Sequence, residues 1–381
     1  MRQGQSQRQV ARRHRVSLRA VQYWLQRAGH EPLDQIDWSD RPPIPHHSPH
    51  KISPALERRI VATRRALAQS PLGFVGALSI AQALSPGLRE PLPSLRTIGR
   101  VLRRQGVLDG LRRWRRPPPP PGWYLPAAAG GRAELDAWDF IEDLCLDGGR
   151  WVHVLTSRAL AGPVCGAWPA SGSGTTARVL EALPAHWRRH GRPAFAQFDN
   201  DLRFLGPSRY PDTLGQVVRL CLQLDVTPVF APPAEHGLQN LIESFNALWQ
   251  AKVWDRFQHA NVPALVARSD RFVTALWQRR AARSETAPAR RPWPRPWQFH
   301  PQAPLRGQII FIRRTDAHGR LHLLGHVWEL DPTWPQRLVR AEVDLDAHQI
   351  RCYRLRRLAP QDQPLIKIIP YRLPHRHRTD G

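Results

Sequence analysis

The chain has 381 residues, enough for two or more domains with a core each, and carries 56 Lys and Arg against 31 Asp and Glu, a formal charge of +25. Apart from Lys51, Lys252 and Lys367 the basic residues are arginines, which grip phosphate through bidentate, permanently charged contacts, so the expected partner is a polyanion; a genomic preference for arginine would explain the ratio but not the excess over acids. Cys145, Cys165, Cys221 and Cys352 are far apart with no C-x-x-C pair, so neither a disulfide framework nor a zinc site is indicated; no apolar run approaches ~18 residues and the N-terminus is polar, so a cytoplasmic, nucleoid-associated protein is expected.

Residues 5–28, within an expected first domain of 1–45, read as a helix-turn-helix. Val10 and Ala11 sit on the first helix and Val16 in the turn; Ser17 can cap a second helix with Val21 and Leu25 inward, and Gly29 stops it. Arg19, Gln22 and Gln26 share that helix's outward face, where a reading helix meets base edges, although an ordinary helical hairpin would share the pattern. Residues 40–47 read as a linker, and His46, His47 and His50 as linker residues rather than metal ligands.

A second, winged-helix-like unit is expected over 46–116. Ser53 and Pro54 open a helix to about Ala68, residues 73–77 lead into a short one ending at Leu84, and Ser94 caps a third with Ile98, Val101 and Leu102 inward before Gly106. Arg96, Arg100 and Arg103 stripe the outer face of this last helix, suited to phosphate or simply to water. Arg112, Arg113, Arg115 and Arg116 form a basic strip ahead of the prolines 117–121, and 117–131 reads as a stiff linker.

An α/β core with a mixed sheet is expected over 132–285. Residues 151–156 and 164–168 suit a hairpin, 175–189 a helix, 214–224 another, 226–230 a short strand, and a long helix runs from about Gly237 to Phe257. A Pro/Arg linker follows over 286–304. Strands at 308–312, 321–328, 338–344 and 349–353 suggest a small β-barrel over 305–372, and 373–381 reads as a basic tail.

Three carboxylates stand out. Asp139 and Asp199 lie near the ends of apolar strands; Glu243 lies on an amphipathic helix, off the stripe formed by Leu238, Leu241, Ile242, Phe245, Leu248 and Trp249, with Asn246 and Gln250 on its own face. Carboxylates gathered from separate elements repel unless a cation sits among them, and oxygen-only ligands favour Mg²⁺ or Mn²⁺. Two such ions clamp the attacking and leaving oxygens in phosphodiester chemistry. Asp136 competes with Asp139 but faces the other side of its strand, and Glu235 competes with Glu243 from a loop. Asp201 is expected to shape the turn after Asp199.

At Trp138-Asp139-Phe140, Phe198-Asp199-Asn200 and Ile242-Glu243-Ser244-Phe245 the chain resembles the DDE transposase and integrase superfamily, above all bacterial insertion-sequence transposases with a retroviral-integrase-type core. The resemblance implies an RNase H-like core, Asp139, Asp199 and Glu243 as a metal-binding triad for Mg²⁺ or Mn²⁺, nicking of element ends in double-stranded DNA, joining of the 3′-hydroxyl to target DNA, and assembly of at least a dimer. Asp201 replaces the family's usual glycine, Gln239-Asn240 replaces an Asn-Gly pair, and the Asp199–Glu243 gap is about eight residues longer than is frequent, assigned here to residues 205–212. A catalytically inactive, repressor-like descendant that binds DNA is the alternative reading.

Overall fold

Helix starts in this chain are set by short side-chain caps. Ser6 and Gln9 exchange hydrogen bonds as a capping box for α1 (Gln7–Arg13), and Ser17 accepts the Ala20 N–H to open α2 (Leu18–Ala28). Ala11 and Val21 are buried between these two helices, with Trp38 against Trp24. The computed structural model describes residues 4–32, 34–39, 52–88, 91–108, 120–207, 210–232 and 237–374. They divide into two compact units, 1–56 and 57–381.

Ser53 opens α3 (Pro54–Gln69), which spans the division; α4 (Ala77–Leu84) and α5 (Leu95–Arg104) follow, the latter capped by Ser94 with Ile98, Val101 and Leu102 buried. Arg64 ties the three together by donating to the carbonyls of Val75 (2.6 Å) and Val107 (2.8 Å). Among the described residues no strand accompanies these helices. The turn after α3 and the start of α4 are held to the core: Arg256 donates to Ser70 O, Lys252 to Gly73 O at 3.1 Å, and Arg279 to Ser79 Oγ of α4 at 3.0 Å. Gly73 is favoured there because its φ of 56° lies in the left-handed region that L side chains rarely adopt.

After the short α6 (Pro126–Ala129), the core begins with β1 (Leu135–Cys145), β2 (Trp151–Ala159) and β3 (Cys165–Ser171), an antiparallel meander. Then come α7 (Thr176–His190), β4 (Phe195–Phe198), α8 (Leu202–Leu205), α9 (Gln216–Gln223), β5 (Thr227–Phe230), α10 (Asn240–Trp249) and α11 (Val262–Arg279). β1, β4 and β5 pair in parallel. The alternation of β1 divides the core: Trp138 and Phe140 pack under α7 and α9, while Ala137 and Ile141 pack under Ile242, Phe245 and Trp249 of α10 and Phe272 of α11.

The expected barrel is not formed. β6 (Gln308–Arg314) pairs in parallel with β5, and β9 (Leu338–Asp344), β10 (Gln349–Arg354) and β11 (Leu365–Pro370) extend the core into one nine-stranded sheet, ordered β11-β10-β9-β6-β5-β4-β1-β2-β3. The reason lies in β6: Ile309, Ile310, Phe311 and Ile312 are all buried, so both its faces need cover that a solvated barrel wall would not give. The single strand expected over 321–328 is instead a tight hairpin, β7 (Arg320–Leu323) and β8 (His326–Glu329), turning at Leu324 and Gly325, both with positive φ. The expected long helix begins at Asn240 rather than Gly237 and gives way to a π-helical turn over Gln250–Trp254. The Pro/Arg stretch after residue 286 is not a free spacer: Arg291 bridges to Arg192, and Trp293, Trp297 and Phe299 pack on the core. Cys165, Cys221 and Cys352 are buried as expected of small core residues, whereas Cys145 is exposed.

Candidate active site

β1 and β4 are parallel neighbours with Ala137 opposite Gln197. Carried two residues on, that register sets Asp139 beside Asp199, one strand spacing of about 4.8 Å away at the backbone. Both side chains are partly buried, and each has an oxygen fixed by the backbone: Phe140 N–H donates to Asp139 Oδ1 at 2.8 Å, and Asp201 N–H to Asp199 Oδ1 at 3.0 Å.

Opposite Asp139 stands α10. Asn246 Nδ2 donates to Asp139 Oδ2 at 2.8 Å, and Thr156 of β2 places its hydroxyl 2.7 Å from Asn246 Oδ1 and 3.0 Å from the Asp139 carbonyl oxygen. Glu243, one turn before Asn246, is exposed on the same face. The start of α10 is pinned as well, since Gln197 Nε2 and the Tyr124 hydroxyl both donate to Leu238 O, at 3.0 and 3.1 Å. The helix is thus positioned from β1, β2 and β4 together.

Negative charge accumulates here. Burial, then the Asp199 charge and the Glu243 charge, push the Asp139 carboxyl up to about 7, against the opposing hydrogen bonds from Phe140 and Asn246. Burial also raises Asp199, with the Asp201 and Glu142 charges adding to it against the Asp201 N–H hydrogen bond and the Arg203 charge. Among the described residues no three His, Cys, Asp or Glu side chains form a ready-made metal cage, so the three carboxylates share a field rather than a closed coordination shell.

The rivals separate. Asp136 is fully buried on the opposite face, gripped by Arg290 (Nη1–Oδ1 2.9 Å, Nη2–Oδ2 2.6 Å) and by Trp187 Nε1 at 3.0 Å. Glu235 lies outside the described residues. Asp201 caps α8 and binds Arg203, which also holds Glu142 and lies over the Phe140 ring. The residues not foreseen are Thr156, Glu142 with Arg203, and Arg313, whose Nη2 donates to Asn200 Oδ1 at 2.7 Å while burial lowers its pKa to about 10. Only the arginine-rich composition hinted at the last two.

Arg19, Gln22 and Gln26 are all exposed along α2, and Arg96, Arg100 and Arg103 are exposed along α5, opposite its buried stripe. Arg112, Arg113, Arg115 and Arg116 lie outside the described residues. No described helix is long and apolar enough to cross a membrane.

No protein-family model and no curated protein matches the chain. Among solved structures, it is similar to a chain of the simian T-cell lymphotropic virus intasome in complex with PP2A regulatory subunit B56 gamma, at 12% identity, covering 82% of this chain and 97% of that one with a TM-score of 0.32. It is also similar to a chain of the Mos1 strand transfer complex, at 13% identity, covering 71% and 87% with a TM-score of 0.25. At these scores neither likeness decides the fold or the chemistry of this chain.

Proposed function

We propose that the chain is a metal-dependent DNA transposase or integrase with an RNase H-like core, which nicks element ends and joins the 3′-hydroxyl to target DNA. The observation that carries this reading is the placing of Asp139 on β1 and Asp199 just past the end of its parallel neighbour β4, with an α10 whose Asn246 holds Asp139 and whose Glu243 adds a third charge. The donor set is all oxygen, and burial together with the Asp199 and Glu243 charges lifts Asp139 to about 7, a penalty on the charged form that a hard divalent cation would relieve, so Asp139, Asp199 and Glu243 would suit Mg²⁺ or Mn²⁺. When bound, such ions would ease deprotonation of water or the 3′-hydroxyl and neutralise charge on the phosphoryl oxygens. The protein's part is preorganisation. The Phe140 N–H, the Asn246 amide and the Asp201 N–H fix the carboxylate directions before substrate arrives, and Thr156 fixes Asn246. The exposed rows on α2 and α5 are assigned to the DNA ends, with Arg112, Arg113, Arg115 and Arg116 as further phosphate contacts.

The test is joining of labelled duplexes, taken from the DNA flanking the gene, into plasmid in Mn²⁺, with wild type and Asp199→Asn in parallel. Joined product from wild type alone supports the proposal; no nick or joint from wild type overturns it. The open arrangement around Glu243 favours one alternative, a DNA-binding protein without catalysis. It would bind the same duplexes equally with Asp199→Asn and give no product from either protein.

A further inference from the structure

The sheet edge that carries Asp199 does not stop there. β4, β5 and β6 run parallel, and β10 runs parallel to β6 across β9, so Asp199, Arg314, Leu338 and Arg354 all lie at one end of the sheet. Arg313 binds Asn200, the neighbour of Asp199, and so joins the carboxylate end of this edge to β6. Beyond it opens a pocket of ≈ 460 Å³ lined by Arg314, Arg337, Arg356 and Arg357 around Trp334, with no described carboxylate in its lining.

The pocket is built rather than incidental. Trp334 is buried, and the guanidiniums of Arg337, Arg354 and Arg356 stand 4.8, 5.0 and 5.8 Å from its ring. Asp362 pairs with Arg356 from outside the lining and closes the turn after β10, where the Ala359 and Asp362 N–H groups bond back to the carbonyls of Arg356 and Ala359. At the tip of that turn Leu358 is 101% exposed. A lone exposed leucine means nothing by itself. One held on an ordered turn directly after two arginines, at the mouth of a pocket lined by four, faces a partner that is anionic outside and apolar within. Duplex DNA has that chemistry: phosphates on the surface and a base stack beneath.

We propose that residues 356–358 are a DNA-distorting wedge, in which the four arginines hold the sugar-phosphate backbone and Leu358 enters a base step. This rests on the reading of the chain as a DNA-joining enzyme and adds a substrate conformation to it. Four strand spacings from β4 to β10 amount to roughly 19 Å. At about 3.4 Å per base pair the disturbed step lies about five or six pairs from the attacked phosphate.

The experiment uses the full chain carrying Asp199→Asn, so that no chemistry intervenes, and duplexes with 2-aminopurine placed at successive steps. One position should brighten several-fold on binding. Adding Leu358→Ala should abolish the brightening while shifting affinity less than about threefold, and Arg356→Gln with Arg357→Gln should flatten the slope of log K against log salt by about 2. Because Leu358 is fully exposed, its removal leaves the core intact. Full brightening in Leu358→Ala, or an unchanged salt slope in the double arginine variant, would overturn the wedge. If wild type joins DNA yet no position brightens, the wedge alone fails; if a position brightens but wild type joins nothing, the joining activity alone fails.

Discussion

Asp136 and Asp139 lie three residues apart on one strand, and exchanging each for asparagine should have opposite consequences. Asp136 is 0% exposed, and both its oxygens are taken by Arg290, with Trp187 sharing one. Burial pushes its carboxyl up, but the charge and hydrogen bonds of Arg290 more than reverse this, so it is held below the usual carboxylate range. Asp136→Asn leaves the Arg290 guanidinium, itself largely buried, without its counter-charge, and breaking such a pair costs about 3–5 kcal/mol. Asp139→Asn removes a charge that its surroundings oppose, at the expense of about one hydrogen bond, ~1 kcal/mol. Urea unfolding of the three proteins measures both, and DNA joining separates them further, because Asp139→Asn should fold and be inactive. The stability that Asp136 contributes is present above its unfolded pKa of ~3.9 and is lost only as pH falls through its lower folded value. The deficit of Asp136→Asn should therefore persist from pH 8 down to about 4. If Asp136→Asn unfolds within about 1 kcal/mol of wild type at pH 7, the assignment of Asp136 to structure and Asp139 to chemistry is wrong.

Other outcomes follow from the same geometry. Asn246→Ala frees one oxygen of Asp139 and should lower joining by about 10- to 100-fold with little change in the urea midpoint. In chelated protein, Asp139 keeps a proton between about pH 4 and 7 that the unfolded chain has lost, so stability should fall as pH rises through that window, by at most about 4 kcal/mol; melting in EDTA from pH 4 to 8 should show the slope in wild type and a flatter one in Asp139→Asn. Replacing Arg19, Gln22 and Gln26 singly with alanine should each weaken binding to one duplex sequence by about 1–3 kcal/mol, read by anisotropy, while leaving the melting temperature unchanged because all three are exposed.

Local chemistry made much of this legible. Ser17, Ser94 and Thr175 are caps that a reader can find without a structure, and the helices begin where they indicate. That Asp136 and Asp139 face opposite sides was readable from strand parity, because a three-residue step inverts the face; which of the two sides meets α10 was not. What parity does not give is the partner: nothing near Asp136 in sequence announces Arg290, which arrives 154 positions later from a stretch that composition marks as linker. The π-turn after Trp249 was hidden for a related reason. The apolar period continues through Val253 while the backbone changes winding, so periodicity extends the helix too far. α11 and β11 went unforeseen although Asn261 caps the former and the latter reads Leu-Ile-Lys-Ile-Ile-Pro; each follows a helix or hairpin that already completes a familiar plan.

The long Asp199–Glu243 gap shows why a departure in spacing need not be a departure in site. The additional chain leaves and returns at one point, where Gly206 and Gly215 meet backbone to backbone so closely that a Cβ on either would stand under 3.0 Å from the other, and Gly215 N–H donates to Leu205 O at 2.8 Å. α9 therefore starts where it would without the excursion. The excursion is spent on the C-terminal strands: Asp212 N–H donates to Leu324 O at 3.0 Å, the Tyr371 hydroxyl donates to Asp212 Oδ1 at 2.7 Å, and His326 pairs with the same carboxylate. The same residues that lengthen the gap fasten the β7–β8 hairpin and Tyr371 to the core, in keeping with strands that join the core sheet rather than closing on themselves. A gap that is long in the sequence and a barrel that the structure replaces with an extended sheet meet at one contact.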